Sequence, residues 1–272
     1  KTIEYWKIAG LLNEDPFMSI KEIGYNTVLA RSTVTKYLKE MYAQDILIGP
    51  WISLKPHSNY REYVHLMKFS DPAHTFGGLK GFPNVLHHGM TSGDWNTFVI
   101  TDRLLDFSQL KGFESVVYQG VKGFSYTPRT EYFPWNQCFE RIYEFLEEFI
   151  PSKPELKRDL NPSLDWGEEE WKLYHAFRLN VRRRVTPVLG KIKVRYETYA
   201  RWIENVRDHC TIHTEFYPEG CNAYMSYCFL LDSDYEKSVI SLFSLFPTTP
   251  VIMEVDDQLL VFLRVVSSMV IR

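Results

Sequence analysis

Residues 84–101, NVLHHGMTSGDWNTFVIT, set two histidines, a Ser-Gly-Asp turn and a run of strand-forming residues in one segment. Three chemistries are open to such a set: ligation of a metal or haem by imidazole, a Ser-His-Asp hydrolytic constellation, or capture of a small anion by a polar turn. The spacing weighs against the first two. His87 and His88 are sequence neighbours, so on a strand they point to opposite faces and cannot chelate one ion together. Ser92 stands in no G-x-S-x-G context, and nothing else marks a nucleophile. The turn remains. Backbone N–H groups around Ser92 and Gly93 can hold a carboxylate, with His88, Met90, Asp94 and Trp95 placed to contact the rest of an effector. A plain hairpin turn at Gly93-Asp94 accounts for the same residues.

The rest of the chain adds little catalytic chemistry. The segment GGLKG at 77–81 lacks the G-x-x-x-x-G-K spacing of a phosphate loop and reads as a helix end or close-packing turn. Cys138, Cys210, Cys221 and Cys228 include no C-x-x-C pair and no histidine at zinc-finger spacing, so they read as reduced, mostly buried thiols. No catalytic residue, metal ligand or cofactor is expected. With 45% hydrophobic and 24% charged residues among 272, the chain should fold as one or two ordinary globular bodies. A net charge of -3 excludes global attraction to nucleic acid and leaves room for a local basic patch. No run approaches the roughly 18 apolar residues that span a bilayer, and no signal peptide opens the chain, so a cytoplasmic location without membrane contact is the default.

Periodicity supplies the elements that must carry these residues. IEYWKIAGLLN (3–13) places Ile3, Trp6, Ile8, Leu11 and Leu12 near helical spacing. SIKEIG opens at Ser19 with Glu22 three residues on, a reciprocal cap. STVTKYLKEMYAQDI opens with Ser32 or Thr33 as cap and puts Val34, Tyr37, Leu38 and Met41 on one face. LIGPWISLKP then reads as two short strands turning at Gly49-Pro50. Helix, helix, turn, helix, hairpin is the winged-helix order. From Tyr60 a strand, the helical PAHTFGGLKGF, the strand-turn-strand of the opening segment, the helix candidate LLDFSQLKGF and the strand SVVYQGVKGFSYT give the ferredoxin-like order β-α-β-β-α-β.

Residues 165–217 repeat the first order, with EEEWKLYHAFRLN, RRVTPVLGKIKV and RYETYARWIENVRDHC as helices and TIHTEFY as the wing strand; 221–272 repeat part of the second as β-α-β-β. The fold class is therefore α+β: winged helices at 1–56 and 165–220, ferredoxin-like domains at 57–127 and 221–272, duplicated in tandem around a connector at 128–164. The last strand, from 259, lacks the turn or helix expected after it, so the second ferredoxin-like domain reads as incomplete. The connector carries an amphipathic helix, CFERIYEFLEEF, whose aromatic face needs cover from a domain or a second chain, and ends in the proline- and charge-rich IPSKPELKRDLNPS.

Val85, the triplet Ser92-Gly93-Asp94, Trp95 and Asn96 resemble the pattern of valine followed by T/S-G-D/E-aromatic-D in the leucine-responsive regulator (Lrp/AsnC) family, with Asn96 where that family usually has aspartate. The resemblance covers residues 1 to about 125 well and the rest more weakly; in the second hairpin Asp256-Asp257 replace the turn and its glycine. It implies a winged helix joined to a ferredoxin-like ligand and oligomerisation domain, hence a DNA-binding transcriptional regulator, homodimeric or larger, tuned by a small-molecule effector near the hairpin. In a winged helix the third helix enters the major groove. The candidate contacts to double-stranded DNA are Arg31, Ser32, Thr33, Thr35, Lys36 and Lys39 in the first copy. In the second they are Arg182, Arg183, Arg184, Lys191, Lys193, Arg195, Tyr196 and Arg201. From Arg178 to Arg207 nine Lys or Arg stand against Glu197 and Glu204, a density suited to phosphate. Sirohaem decarboxylases resemble the same two-domain family and carry a histidine near where His87 falls. They also carry a tyrosine and an arginine close by, whereas Gly89, Met90 and Thr91 follow the histidines here. A tetrapyrrole-binding enzyme is the alternative reading, and a non-catalytic sensor or scaffold using its winged helices for protein contacts a third.

Overall fold

The computed structural model describes residues 1–150, 161 and 163–267. The chain runs through α1 (Thr2–Glu14), α2 (Ile20–Thr27), α3 (Arg31–Ala43), β1 (Leu47–Leu54), β2 (Glu62–Phe69), α4 (Pro72–Leu79), β3 (Val85–Met90), β4 (Thr97–Thr101) and β5 (Phe113–Tyr126). It continues through α5 (Trp135–Glu147), α6 (Glu168–Phe177), α7 (Val185–Ile192), α8 (Tyr196–His209), β6 (Cys210–Phe216), β7 (Met225–Asp232), α9 (Glu236–Ser244), β8 (Val251–Val255) and β9 (Gln258–Val265). The order α-α-α-β-β-α-β-β thus occurs twice, separated by β5 and α5, and the class is α+β as expected.

The helical units follow local chemistry. Ser19 Oγ accepts from Glu22 N while Glu22 returns a carboxylate to Ser19 N, which satisfies two otherwise free donors at the start of α2. α1 buries Tyr5, Ile8, Ala9 and Leu12; Ile3 is exposed, and Trp6 and Leu11 are only half-buried, a face rotated from the expected one. α3 starts at Arg31 with Ala30 at its cap position, so neither Ser32 nor Thr33 caps it. α2 and α7 end alike, on the left-handed residues Val28 and Lys193 (φ 58° and 57°), each three residues before the next helix. Helix-turn-helix geometry therefore recurs in both units, with Arg31 and Tyr196 at matching positions.

Three expected elements form differently. Leu47–Leu54 is one strand, because its partner lies about 160 residues away: β1 pairs antiparallel with β6, with a register shift between Ile48 and Trp51. Gly49 within that shift has φ 91°, and a Cβ there would sit 2.7 Å from His213 O, so the position demands glycine. Among the described residues neither segment forms a wing hairpin; the two segments expected as wings pair with each other in a ribbon that joins the helical units. Second, LLDFSQLKGF is turns and loop, pinned by Ser108 N to Asp106 Oδ1 (2.8 Å) and by buried Phe107. Third, the turn of the second hairpin needs no glycine, because Asp256 itself adopts φ 51° while its side chain accepts from Val121 N at 2.9 Å.

The other seven strands form one sheet in the order β3-β4-β2-β5-β8-β9-β7, continuous across the two halves through β5 and β8. Four strand steps separate β4 from β9, roughly 19 Å in a flat sheet, yet the rings of Phe98 and Phe262 lie 5.2 Å apart. The sheet therefore curls until its halves face each other over an apolar filling that includes Val64, Leu66, Met253 and Leu260. α4 covers one outer face and α9 the other. α5 packs Trp135 and Cys138 on the second half, so its own chain covers part of its apolar surface, while Tyr143 and Leu146 stay exposed. The proline-rich end of the connector and the last residues of the expected final strand lie largely outside the described residues.

Candidate functional site

A cavity of about 510 Å³ occupies the mouth of the curled sheet, between it, the β1/β6 ribbon and α6. Phe98, Ile100, Met253 and Phe262 line it from the inner face of the sheet, and Trp51, Ile52 and Ser53 line it from the ribbon. β3 reaches it by a bulge. Val85 pairs with Thr101 and His87 with Ile100, which leaves Leu86 as the extra residue, so the neighbours Leu86 and His87 both line the cavity. His88 turns to the opposite face, where its ring meets Phe76 at 4.7 Å.

Charged groups line this apolar space. Lys122 Nζ pairs with Glu62 at 2.8 Å, both side chains under 10% exposed. Glu215 accepts from Trp51 Nε1 at 2.6 Å and from Tyr217 Oη; burial pushes its carboxyl upward, and Arg264 is 3.8 Å away. Arg178 donates from Nη2 to Leu86 O at 3.1 Å. His87 lines the cavity yet stays exposed at its mouth; partial desolvation, with the charges of His88 and Arg178, holds it below the usual histidine range. It presents one ring donor and one acceptor at neutral pH. Behind Ser53, His213 bonds Ser53 Oγ at 2.8 Å and Thr127 Oγ1 at 3.1 Å. Burial lowers it to about 3, with the Lys122 charge adding, so it stays neutral and is a poor base for activating Ser53.

The hairpin expected to bind an effector lies apart from the cavity. Ser92, Gly93, Asp94 and Met90 are exposed; Thr91 closes the turn on itself through Asn96 O (3.0 Å) and Trp95 O (2.9 Å). Trp95 packs its ring on the core inside the curled sheet. Asn96 clamps β2 by accepting from Phe69 N (3.0 Å) and donating to Phe69 O (2.8 Å), a pair of bonds an aspartate could not make. Of the residues named for this site from sequence, none lines the cavity; His87 does.

The candidate DNA contacts divide. On α3, Arg31, Ser32, Thr35, Lys36 and Lys39 are exposed and Thr33 is half-buried. In the second unit Arg183, Arg184, Lys191, Lys193, Arg195, Tyr196 and Arg201 are exposed. Arg182 is committed inside the chain: its Nη1 donates to Pro16 O and Met18 O, both at 2.8 Å, tying α7's approach to the first unit. Arg207 bridges to Asp15 at 3.4 Å. Sequence reasoning misses the roles of Glu62, Lys122, Arg178, Glu215 and Arg264, because five distant segments bring them together. Among the described residues no cluster of three or more His, Cys, Asp or Glu could hold a metal ion, and no helix is long and apolar enough to cross a membrane.

No protein-family model matches the chain, and no curated protein matches its sequence. Among solved structures, the siroheme decarboxylase NirDL is similar over 98% of this chain and 84% of its own, at 11% identity and a TM-score of 0.44. AsnC of E. coli is similar over 43% of this chain and 89% of its own, at 12% identity and a TM-score of 0.36. A Neisseria meningitidis transcriptional regulator, NMB0573, solved as its L-Met complex, is similar over 43% and 86%, at 15% identity and a TM-score of 0.35.

Proposed function

We propose that the chain is a DNA-binding regulator, a homodimer or larger assembly, whose small-molecule effector occupies the central cavity rather than the hairpin turn. The observation that carries this reading is the cavity's position. Its walls come from the ribbon that joins the helical units, from α6 of the second unit and from the curled sheet, so an occupant touches the joint that sets how the two helix-turn-helix units stand. A ligand that binds one arrangement better than another shifts their balance, and DNA shifts ligand affinity by the same factor. The DNA side is supported by the exposed cations of α3 and of the stretch from Arg183 to Arg201 around α7 and the start of α8. Arg184, Lys191, Lys193, Arg195 and Arg201 have no ion-pair partner among the described residues. Fluorescence anisotropy across a salt series tests it. The double variant Arg183→Glu/Arg195→Glu should bind duplex DNA more weakly and lower the log–log salt slope by about 2, one phosphate each. An unchanged slope and affinity overturns the DNA surface.

A second reading has its own observation. His87 offers a neutral imidazole at the wall of a cavity of about 510 Å³, the kind of ligand that a haem-like tetrapyrrole, the group on which the decarboxylase alternative rests, would take. The residues after the histidines, Gly89, Met90 and Thr91, supply no tyrosine or arginine, but Tyr174 and Arg178 line the same cavity as His87. Titration with haemin separates the readings: a Soret shift abolished by His87→Ala supports the tetrapyrrole, and its absence removes it.

A further inference from the structure

Arg178 caps the C-terminus of α6 where three bodies meet. Its carbonyl oxygen accepts from Ile52 N of the ribbon at 2.8 Å, and its guanidinium donates to Leu86 O in the bulge of β3. Ile52, Leu86 and Arg178 all line the cavity. The other cations there face carboxylates: Lys122 has Glu62 at 2.8 Å, and Arg264 has Glu215 at 3.8 Å with the Tyr217 ring beneath it at 4.6 Å. Arg178 pairs with no carboxylate among the described residues, although it is half-buried. It lines the cavity together with His87 and Tyr174, held beside them by its bond to Leu86 O. A partly desolvated guanidinium without a counter-ion favours an anion, and its planar fork matches a carboxylate with two parallel bonds.

We infer that Arg178 anchors a carboxylate of the cavity's ligand, so that the ligand class is a carboxylic acid carrying a sizeable apolar body. This rests on the reading of the cavity as a ligand site. Phe98, Ile100, Met253 and Phe262 receive the apolar body, and the uncompensated charge of Arg178 selects acids over alcohols and amines of the same shape.

The probes are 1-pyrenebutyric acid and 1-pyrenebutanol, which share one apolar body and differ at the carboxylate; fluorescence anisotropy reads their binding to the full chain. Wild type should prefer the acid by about 10-fold or more. Arg178→Gln should bring acid affinity down to that of the alcohol while alcohol affinity stays within about twofold. Arg178→Lys, which keeps the charge and loses the fork, should keep a reduced preference for the acid. Equal binding of acid and alcohol by wild type, or a full acid preference in Arg178→Gln, overturns the anchor and leaves the cavity reading intact. If the Gln variant binds neither probe, the Lys variant decides, and loss of acid preference there also overturns it. Wild type binding neither probe overturns the cavity reading and the anchor with it.

Discussion

Protonating His213 should loosen the joint between ribbon and sheet, and the size of the effect follows from its surroundings. The ring is buried, stacks on Trp51 at 4.1 Å between centroids, and bonds Ser53 of β1 on one side and Thr127, just past β5, on the other. In the unfolded chain a histidine takes up its proton near pH 6.5; in the folded chain burial delays this to about 3. Stability from this group is therefore fully present above pH 6.5 and is lost as pH falls toward 3, because the unfolded state binds the proton first. At about 1.4 kcal/mol per pH unit the loss reaches about 3 kcal/mol by pH 4. His213→Gln has no proton to gain at that position. Urea unfolding at pH 7, 6, 5 and 4 should show wild type losing about 3 kcal/mol more than the variant over this range. The carboxylates and the buried His57 and His65 contribute equally to both proteins. Parallel losses in the two would refute the argument, whatever the variant's stability at pH 7.

The cavity's buried ion pair should show the asymmetry of such pairs: Glu62→Leu alone or Lys122→Met alone should cost about 3–5 kcal/mol, and the double variant should lie within about 1 kcal/mol of wild type by denaturant unfolding. Asn96→Asp removes the donor to Phe69 O and sets two oxygens against each other, which should cost about 1–3 kcal/mol in the same assay. Asp94→Ala should leave the thermal shift caused by a cavity ligand unchanged, whereas His87→Ala should alter it; the reverse pattern returns the site to the hairpin turn.

What the sequence discloses is what short-range chemistry decides. Helix spacing, the Ser19–Glu22 cap and strand alternation locate most elements to within a few residues. Where contacts across more than a hundred residues decide, local reading fails. Gly49-Pro50 reads as a turn, but the residues beyond it pair with β6, which keeps the strand going. Asp106 to Gly112 satisfy helical spacing, but an Asp-Ser turn and the burial of Phe107 against the sheet hold them as loop. His87 and His88 look equivalent in sequence; the extra residue Leu86 in the ladder is what turns His87 toward the cavity. Arg182 and Arg178 belong to one basic run, yet one guanidinium spans to the first helical unit and the other lines the cavity. Nothing in composition separates them, because each role is set by a backbone carbonyl brought near by the fold.

The central claim is that the cavity is the ligand site, and a co-crystal structure with the tightest-binding acid from a thermal-shift screen of carboxylates tests it most directly. The ligand should lie between the sheet and the ribbon, its carboxylate on Arg178 and its apolar body against Phe98 and Phe262. A ligand bound at the Ser92–Asp94 turn, with the cavity free of it, would contradict the account.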